Sequence, residues 1–290
     1  MTSCIKCELC EHPGTLENAT DKGVVPCNVR AFRENVFTVW RCTGCGSLHC
    51  VEEVDLPLYY SRYPLKNQKM TFHERIGYNN RLRFFEKQGL TKTDKILDYG
   101  CGAGLFVNFA RKQGYNGIVG YDPYVSEFSD ENSLLEKYDA VISYDVIEHF
   151  DDCRTFIRTL ASLVKNNGIV AIGTPNADNL SISRPKDPSL HMPYHRHILS
   201  ERVLLALGKE QLLFPKEIRL RSFYDSIIPT VNSRFLWSHI EKCGFLDAAV
   251  EPPQLSVVFG SASLIFAAFF GYFFPRNDYM QVIFKRGITS

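Results

Sequence analysis

The chain has 290 residues, 45% of them hydrophobic and 22% charged, with a formal net charge of +1. That balance excludes a disordered polymer, and ten cysteines spread over this length exclude a disulfide-stapled miniprotein. With 33 basic against 32 acidic side chains, a globally basic nucleic-acid binder is excluded too, and a local basic patch stays open. The opening stretch MTSCIKCELCEHPG has no apolar core of signal-peptide length. A cytoplasmic location is the expectation, where reduced, clustered cysteines favour metal binding or catalysis over disulfides.

Residues 1–64 hold Cys4, Cys7, Cys10, Cys27, Cys42, Cys45 and Cys50 together with β-like runs such as VFTVW. Cys7-Glu-Leu-Cys10 and Cys42-Thr-Gly-Cys45 are CxxC pairs, each able to point two thiolates at one ion. Two such pairs supply the tetrahedral sulfur set of a closed structural zinc site. We therefore expect a small zinc-ribbon domain over 1–64, with Cys4, Cys27, His49 and Cys50 as alternative ligands. Cys153 and Cys243 read as small core residues.

Residues 65–290 read as a second, α/β domain. A helix is predicted over 71–88 with Ile76, Leu82 and Phe85 on its apolar stripe. Strand 95–100 then ends in a glycine-rich turn, followed by helix 103–114, strand 117–122, strand 138–145, helix 152–165 and strand 168–175. This alternation predicts a doubly wound, mostly parallel sheet. A helix near 233–243 follows. Residues 255–274 carry no charge over bilayer-spanning length. The final strand-like run YMQVIFKR (279–286) makes a packed or lid-like segment the leading reading, ahead of peripheral membrane contact and well ahead of spanning.

The motif Asp98-Tyr99-Gly100-Cys101-Gly102-Ala103-Gly104 follows an apolar strand and opens a helix. Its glycines allow close backbone approach to a ligand. The loop lacks the GxGxxG spacing of dinucleotide folds and carries an acidic residue before its first glycine. Asp122 ends the next strand, where a carboxylate can accept both hydroxyls of a ribose, or serve as a turn residue. With YDAVISYDVIEHF (138–150) and GTPN (173–176), these residues resemble the class I S-adenosylmethionine-dependent methyltransferases of Rossmann-like fold, and within them the ubiquinone-biosynthesis O-methyltransferase branch. The resemblance covers roughly residues 70–180. It implies that Asp98, Gly100, Cys101, Gly102 and Gly104 line S-adenosyl-L-methionine, that Asp122 holds its ribose, and that Ser143, Tyr144 and Asp145 flank the methyl-bearing side. The chain departs from the family between Asp122 and Tyr138, where fifteen residues leave room for one strand or one short helix. The adenine contact is therefore in doubt, with Asp130 or Glu131 as candidates.

Asp145, Glu148 and His149 suit either orientation of an acceptor hydroxyl or a Mg²⁺ ion, the cation that the resemblance links to this pattern. His149 is the candidate general base, with Glu148 beside it; packing at a helix entry is the competing reading. In His191-Met-Pro-Tyr194-His195-Arg196-His197, the residues Tyr194, His195 and His197 are candidates for substrate contact. Tyr59, Tyr60 and Tyr63 either cover the cofactor or form a packed linker. The expected function is methyl transfer to a small molecule, at oxygen, on a lipophilic or glycosyl acceptor. The alternatives are an RNA methyltransferase that grips RNA with its ribbon and a non-catalytic binding module. Residues 1–64 carry six basic against eight acidic side chains, which disfavours phosphate binding. The sequence leaves the oligomeric state open.

Overall fold

Alternate residues of the central strands point to opposite faces of one sheet, and both faces are buried. A computed structural model describes residues 6–13, 16, 19 and 21–288. In it Leu97, Val141, Val170 and Val282 pack into one apolar cluster, while their neighbours Ile96, Ile142, Ala171 and Ile283 pack into another. A sheet buried on both faces needs helices on both, and this is the doubly wound arrangement predicted.

The elements run in order: strands β1 (Lys22–Pro26), β2 (Val36–Arg41) and β3 (Leu48–Cys50); helices α1 (Leu56–Ser61) and α2 (Phe72–Lys87); β4 (Ile96–Tyr99), α3 (Leu105–Lys112), β5 (Ile118–Tyr121), β6 (Tyr138–Tyr144), α4 (Cys153–Leu163) and β7 (Val164–Pro175). Then come β8 (His197–Ile198), α5 (Glu201–Glu210), β9 (Leu213–Arg219), α6 (Ser233–Cys243), α7 (Leu255–Phe259), α8 (Ala262–Phe270) and β10 (Tyr279–Arg286). Local chemistry sets the helix starts. Thr71 and Glu74 form a capping box at the head of α2, and Asp152 accepts from Thr155 N–H at the head of α4.

The central sheet has the order β5-β4-β6-β7-β10-β9. Strands β5, β4, β6 and β7 are parallel, and β10 runs antiparallel to both β7 and β9. The short stretch after Asp122 forms turns and one 3-10 turn at Glu131–Leu134, so β5 is an edge strand and no strand lies beyond it among the described residues.

The cysteine-rich segment builds a second, antiparallel sheet, β1-β2-β3-β8. Its fourth strand comes from residues 197–198, so its pairing reaches across the 64/65 division into the loop that follows β7. The charge-free segment folds as α7, α8 and a 3-10 turn at Gly271–Phe273. Leu264, Ala267 and Ala268 pack against Phe235 of α6, but Phe259, Phe269 and Phe273 stay more than half exposed. Among the described residues no helix is long and apolar enough to cross a membrane.

Candidate functional site

The glycine loop sits at the C-terminal ends of β4 and β6, where open α/β sheets bind ligands. Gly100, Gly102 and Gly104 all take positive φ, at 78°, 54° and 67°. The structure separates their roles. A Cβ on Gly100 would lie 2.4 Å from Val146, and one on Gly104 would lie 2.1 Å from the Phe128 ring. A Cβ on Gly102 would meet nothing within 4 Å. Gly100 and Gly104 are thus small because protein packs on them, and Gly102 borders open space.

Asp122 fastens this loop. Its carboxylate accepts the Gly102 N–H at 3.0 Å and the Tyr124 N–H at 2.9 Å. Asp98 is buried, and desolvation pushes its carboxyl up to about 7 despite the opposing pull of Arg81, with Asp122 adding to the rise. Cys101 packs on β5; its Sγ would lie 2.7 Å from a Cβ on Gly120. Ser143 is buried and donates to Tyr99 O at 2.8 Å, so its hydroxyl ties β6 to β4. Tyr144 is buried with its hydroxyl unpaired. Asp145 has φ of 58°, is accessible, and shares a hydrogen bond with Tyr279.

Sequence reasoning missed Arg81. It lies on α2, with its guanidinium 4.0 Å from the Tyr144 ring centre and near the rings of Tyr78, Phe106 and Phe223. Its charge reaches Asp98 and Asp145, and its Nε has no partner. A buried donor left open beside a glycine cradle is what an incoming carboxylate needs. No spacing rule marks it, because it reaches the loop from another element.

Near Asp145 lies a group rich in imidazole and phenol. Glu148, His149 and His195 each offer a ligand atom, all within 4.8 Å of one another. The carboxyl of Glu148 is fully buried; one oxygen accepts from Thr174 at 2.9 Å and the other has no partner. Desolvation, with the nearby Asp145 charge, pushes Glu148 well above the usual carboxylate range. Burial holds His149 down to about 4, His191 to about 3 and His195 well below its ordinary value, so these rings are neutral near pH 7. The Tyr60 hydroxyl lies 3.0 Å from His149 Nδ1, and Tyr63 packs against Tyr60, His191 and Tyr194. Of the three tyrosines left open by the sequence, Tyr60 and Tyr63 thus stand beside the histidines, while Tyr59 is buried against Phe32 and Phe37. Tyr194 is buried and donates to Tyr59 O. His197 faces the other way, towards the cysteine-rich sheet. Asp130 caps the 3-10 turn, and both it and Glu131 are exposed. The Mg²⁺ expectation does not fit, because Asp145, Glu148 and His149 are not gathered as a ligand set; His195 stands where the second carboxylate was expected.

The sulfurs of Cys7, Cys10, Cys42 and Cys45 lie within 4.8 Å of one another, with Cys7–Cys45 and Cys10–Cys42 at 3.7 Å. This matches the predicted register and fits one tetrahedral ion. Glu11 and Gly46 turn each knuckle with φ of 61° and 81°. Cys27 and Cys50 are instead packed in an apolar cluster, and Cys4 lies outside the described residues. His49 contacts Cys7 Sγ at 3.4 Å and passes the chain of contacts to His197 at 2.9 Å. Both knuckles are fastened to the larger fold. Arg154 donates to Leu9 O, Ser200 to Cys45 O and Arg202 to Gly44 O.

Residues 72–210 match a family model described as a methyltransferase domain. A ubiquinone biosynthesis O-methyltransferase of Rickettsia canadensis is 30% identical over 151 residues, 45% of this chain and 55% of that one. One from Rickettsia typhi is 34% identical over 102 residues, 28% of this chain and 41% of that one. The chain thus spans about half the length of these curated relatives. Among solved structures, a 1,6-didemethyltoxoflavin-N1-methyltransferase of Burkholderia thailandensis is similar at 11% identity and a TM-score of 0.42, covering 87% of this chain and 96% of that one. The open sheet and the glycine loop at its strand ends agree with the match of residues 72–210 to a methyltransferase domain.

Proposed function

We propose that the chain transfers a methyl group from S-adenosylmethionine to a hydroxyl oxygen of a small-molecule acceptor, and that its cysteine-rich segment is a structural zinc ribbon that walls the acceptor side. The observation that carries this reading is that Asp145 links two groups: Arg81 acts on it as on Asp98, and its charge acts in turn on Tyr63 and on Glu148, which gathers with His149 and His195. The cofactor supplies a methyl sulfonium when bound. Arg81 would hold its carboxylate and Asp98 its ammonium group. Gly102 would let the backbone lie against it, and Asp122 would hold the loop in place while its remaining lone pairs face the ribose. Methyl transfer is an in-line displacement, so positioning supplies most of the rate. The acceptor proton passes to a neutral imidazole, His149 or His195, both kept unprotonated by burial.

Zinc in the ribbon supplies no open position for chemistry, since four thiolates close its coordination. The knuckles' fastening to Arg154, Ser200 and Arg202 supports a wall rather than a free RNA-gripping arm. The exposed phenylalanines of α7, α8 and the following turn support a lipophilic acceptor reached by peripheral contact with a bilayer. The test is S-adenosylhomocysteine release in the presence of lipophilic phenols, glycosides or RNA. Turnover with a hydroxylated small molecule is expected. Turnover with RNA alone would overturn the reading.

A further inference from the structure

We propose that Arg276 is a positioning residue for His195: through Asp187, Asp278 and Ser189 it fixes which nitrogen of that ring is free to take the acceptor's proton. The inference rests on the methyl transfer proposed above only for the origin of that proton. Arg276 is the first charged residue after Glu251, at the end of the charge-free segment. Its side chain is 10% exposed, and it meets two buried carboxylates. Nη2 donates to Asp187 Oδ2 at 2.6 Å and Nε to Asp278 Oδ2 at 2.8 Å, with Nη2 also on Asp278. A planar guanidinium spans two carboxylates in this way, and an ammonium does not. Arg184 is no substitute, since it stands 3.9 Å from Asp187, is largely exposed and pairs with Glu241.

The two carboxylates grip one residue. Ser189 N donates to Asp187 Oδ1 at 3.1 Å, and Ser189 Oγ donates to Asp278 Oδ2 at 3.2 Å. Residues 180–196 form turns without helix or strand, so side chains must supply the partners that a ladder would. The polar atom of Ser189 that remains is its carbonyl oxygen, and His195 Nδ1 lies 3.0 Å from it. A carbonyl oxygen can only accept, so Nδ1 carries the proton and Nε2 the lone pair. Nε2 lies 4.0 Å from Glu148 Oε1, beyond hydrogen-bond reach. His149 is held from elsewhere: its Nδ1 lies 2.9 Å from Tyr194 O, and Tyr194 is anchored by its hydroxyl on Tyr59 O. The ring at the end of the Arg276 chain is therefore His195 and not His149.

This tethering gives the acceptor's proton one destination. As the acceptor oxygen bonds to the methyl carbon and the carbon–sulfur bond breaks, the O–H proton passes to His195 Nε2. The Nδ1 proton stays on Ser189 O, the Glu148 carboxyl faces the imidazolium, and the added proton leaves to solvent afterwards. Without the Ser189 tether the ring would divide between two tautomers, and the one protonated at Nε2 cannot accept.

The experiment uses full-length, zinc-replete protein with ¹⁵N-labelled histidine at neutral pH. Long-range proton–nitrogen spectra read the tautomer of each ring, and the His195 signals are identified by their loss in His195→Gln. In the wild type, His195 should be protonated at Nδ1 only. Arg276→Gln should lose that single tautomer at His195 while His149 and His239 keep theirs. Arg276→Lys keeps the charge without the span and should fall between. Ser189→Ala removes only the hydroxyl's bond to Asp278 and should shift the balance least. A wild-type His195 protonated at Nε2 would overturn the proposal. So would an unchanged His195 in Arg276→Gln, or a change in all three rings together, the mark of a purely structural role. The wild-type spectrum and Ser189→Ala decide it even if Arg276→Gln fails to fold. Calorimetry with S-adenosylmethionine on the same samples should agree within about twofold across the variants, since none of them touches Asp98, Arg81 or Gly102. Absence of binding in the wild type would sink the methyltransferase reading and leave the tautomer result standing, so the two failures are distinguishable.

Discussion

The cysteine knuckles and the glycine loop solve opposite problems with the same backbone device. In the knuckles, Glu11 and Gly46 turn the chain through positive φ so that four sulfurs converge. In the loop, Gly100, Gly102 and Gly104 turn it through positive φ so that no side chain intervenes. One site is made by side chains brought together, the other by side chains withheld. The first fails when a ligand atom is removed, and the second fails when an atom is added.

The largest effect should come from removing a ligand atom. Cys45→Ser is expected to drop bound zinc from one ion to none and to melt the β1-β2-β3-β8 sheet in thermal unfolding. Structural zinc in small domains is worth roughly 10 kcal/mol or more at neutral pH. Retained zinc with an unchanged melting curve would break the comparison from the ribbon side.

The loop should respond to added atoms in two different ways. Gly104→Ala combines left-handed strain with a clash against Phe128, and is expected to lower stability by about 3 kcal/mol. Gly102→Ala carries the strain alone, about 1 kcal/mol, yet should weaken S-adenosylmethionine binding at least tenfold because its methyl enters the ligand's space. Chemical unfolding and calorimetry on the pair separate the two outcomes. Equal stability loss with equal binding would show that the loop's open side is not the cofactor's side.

A smaller effect is expected from pH. Asp98 has its carboxyl raised to about 7 in the free protein, chiefly by burial. Binding a cationic amino group favours the ionised form, so below about pH 7 a proton must leave on binding. Affinity should therefore fall by up to tenfold for each unit of pH below about 7 and level off above it. Asp98→Asn should flatten that profile.

Legibility followed the same division. Five of the six strands of the central sheet and helix 233–243 could be read from apolar runs and periodicity, because each element's burial is written in its own residues; β9 could not, since past Leu213 it is almost wholly exposed. The cysteine register could be read from spacing, since CxxC is a local geometry. The loop's glycines were visible, but their separate duties were not, because Val146 and Phe128 come from elsewhere in the chain. Arg81 was invisible for the same reason: a half-buried arginine on a helix looks like any other until Tyr144 and Phe223 close over it. Tyr60 and His195 could be named but not placed, because their meeting with His149 and Glu148 depends on β3 pairing with β8. Cys101 and Ser143 looked like cofactor contacts by position, and their side chains turned out to serve the packing of β5 and β4.

The most direct test of the central claim is calorimetric titration of zinc-replete protein with S-adenosylmethionine and, separately, with NADH. The account predicts micromolar binding of S-adenosylmethionine alone, lost in Gly102→Ala while that variant stays folded. Binding of NADH instead, or S-adenosylmethionine binding unchanged by Gly102→Ala, would contradict it.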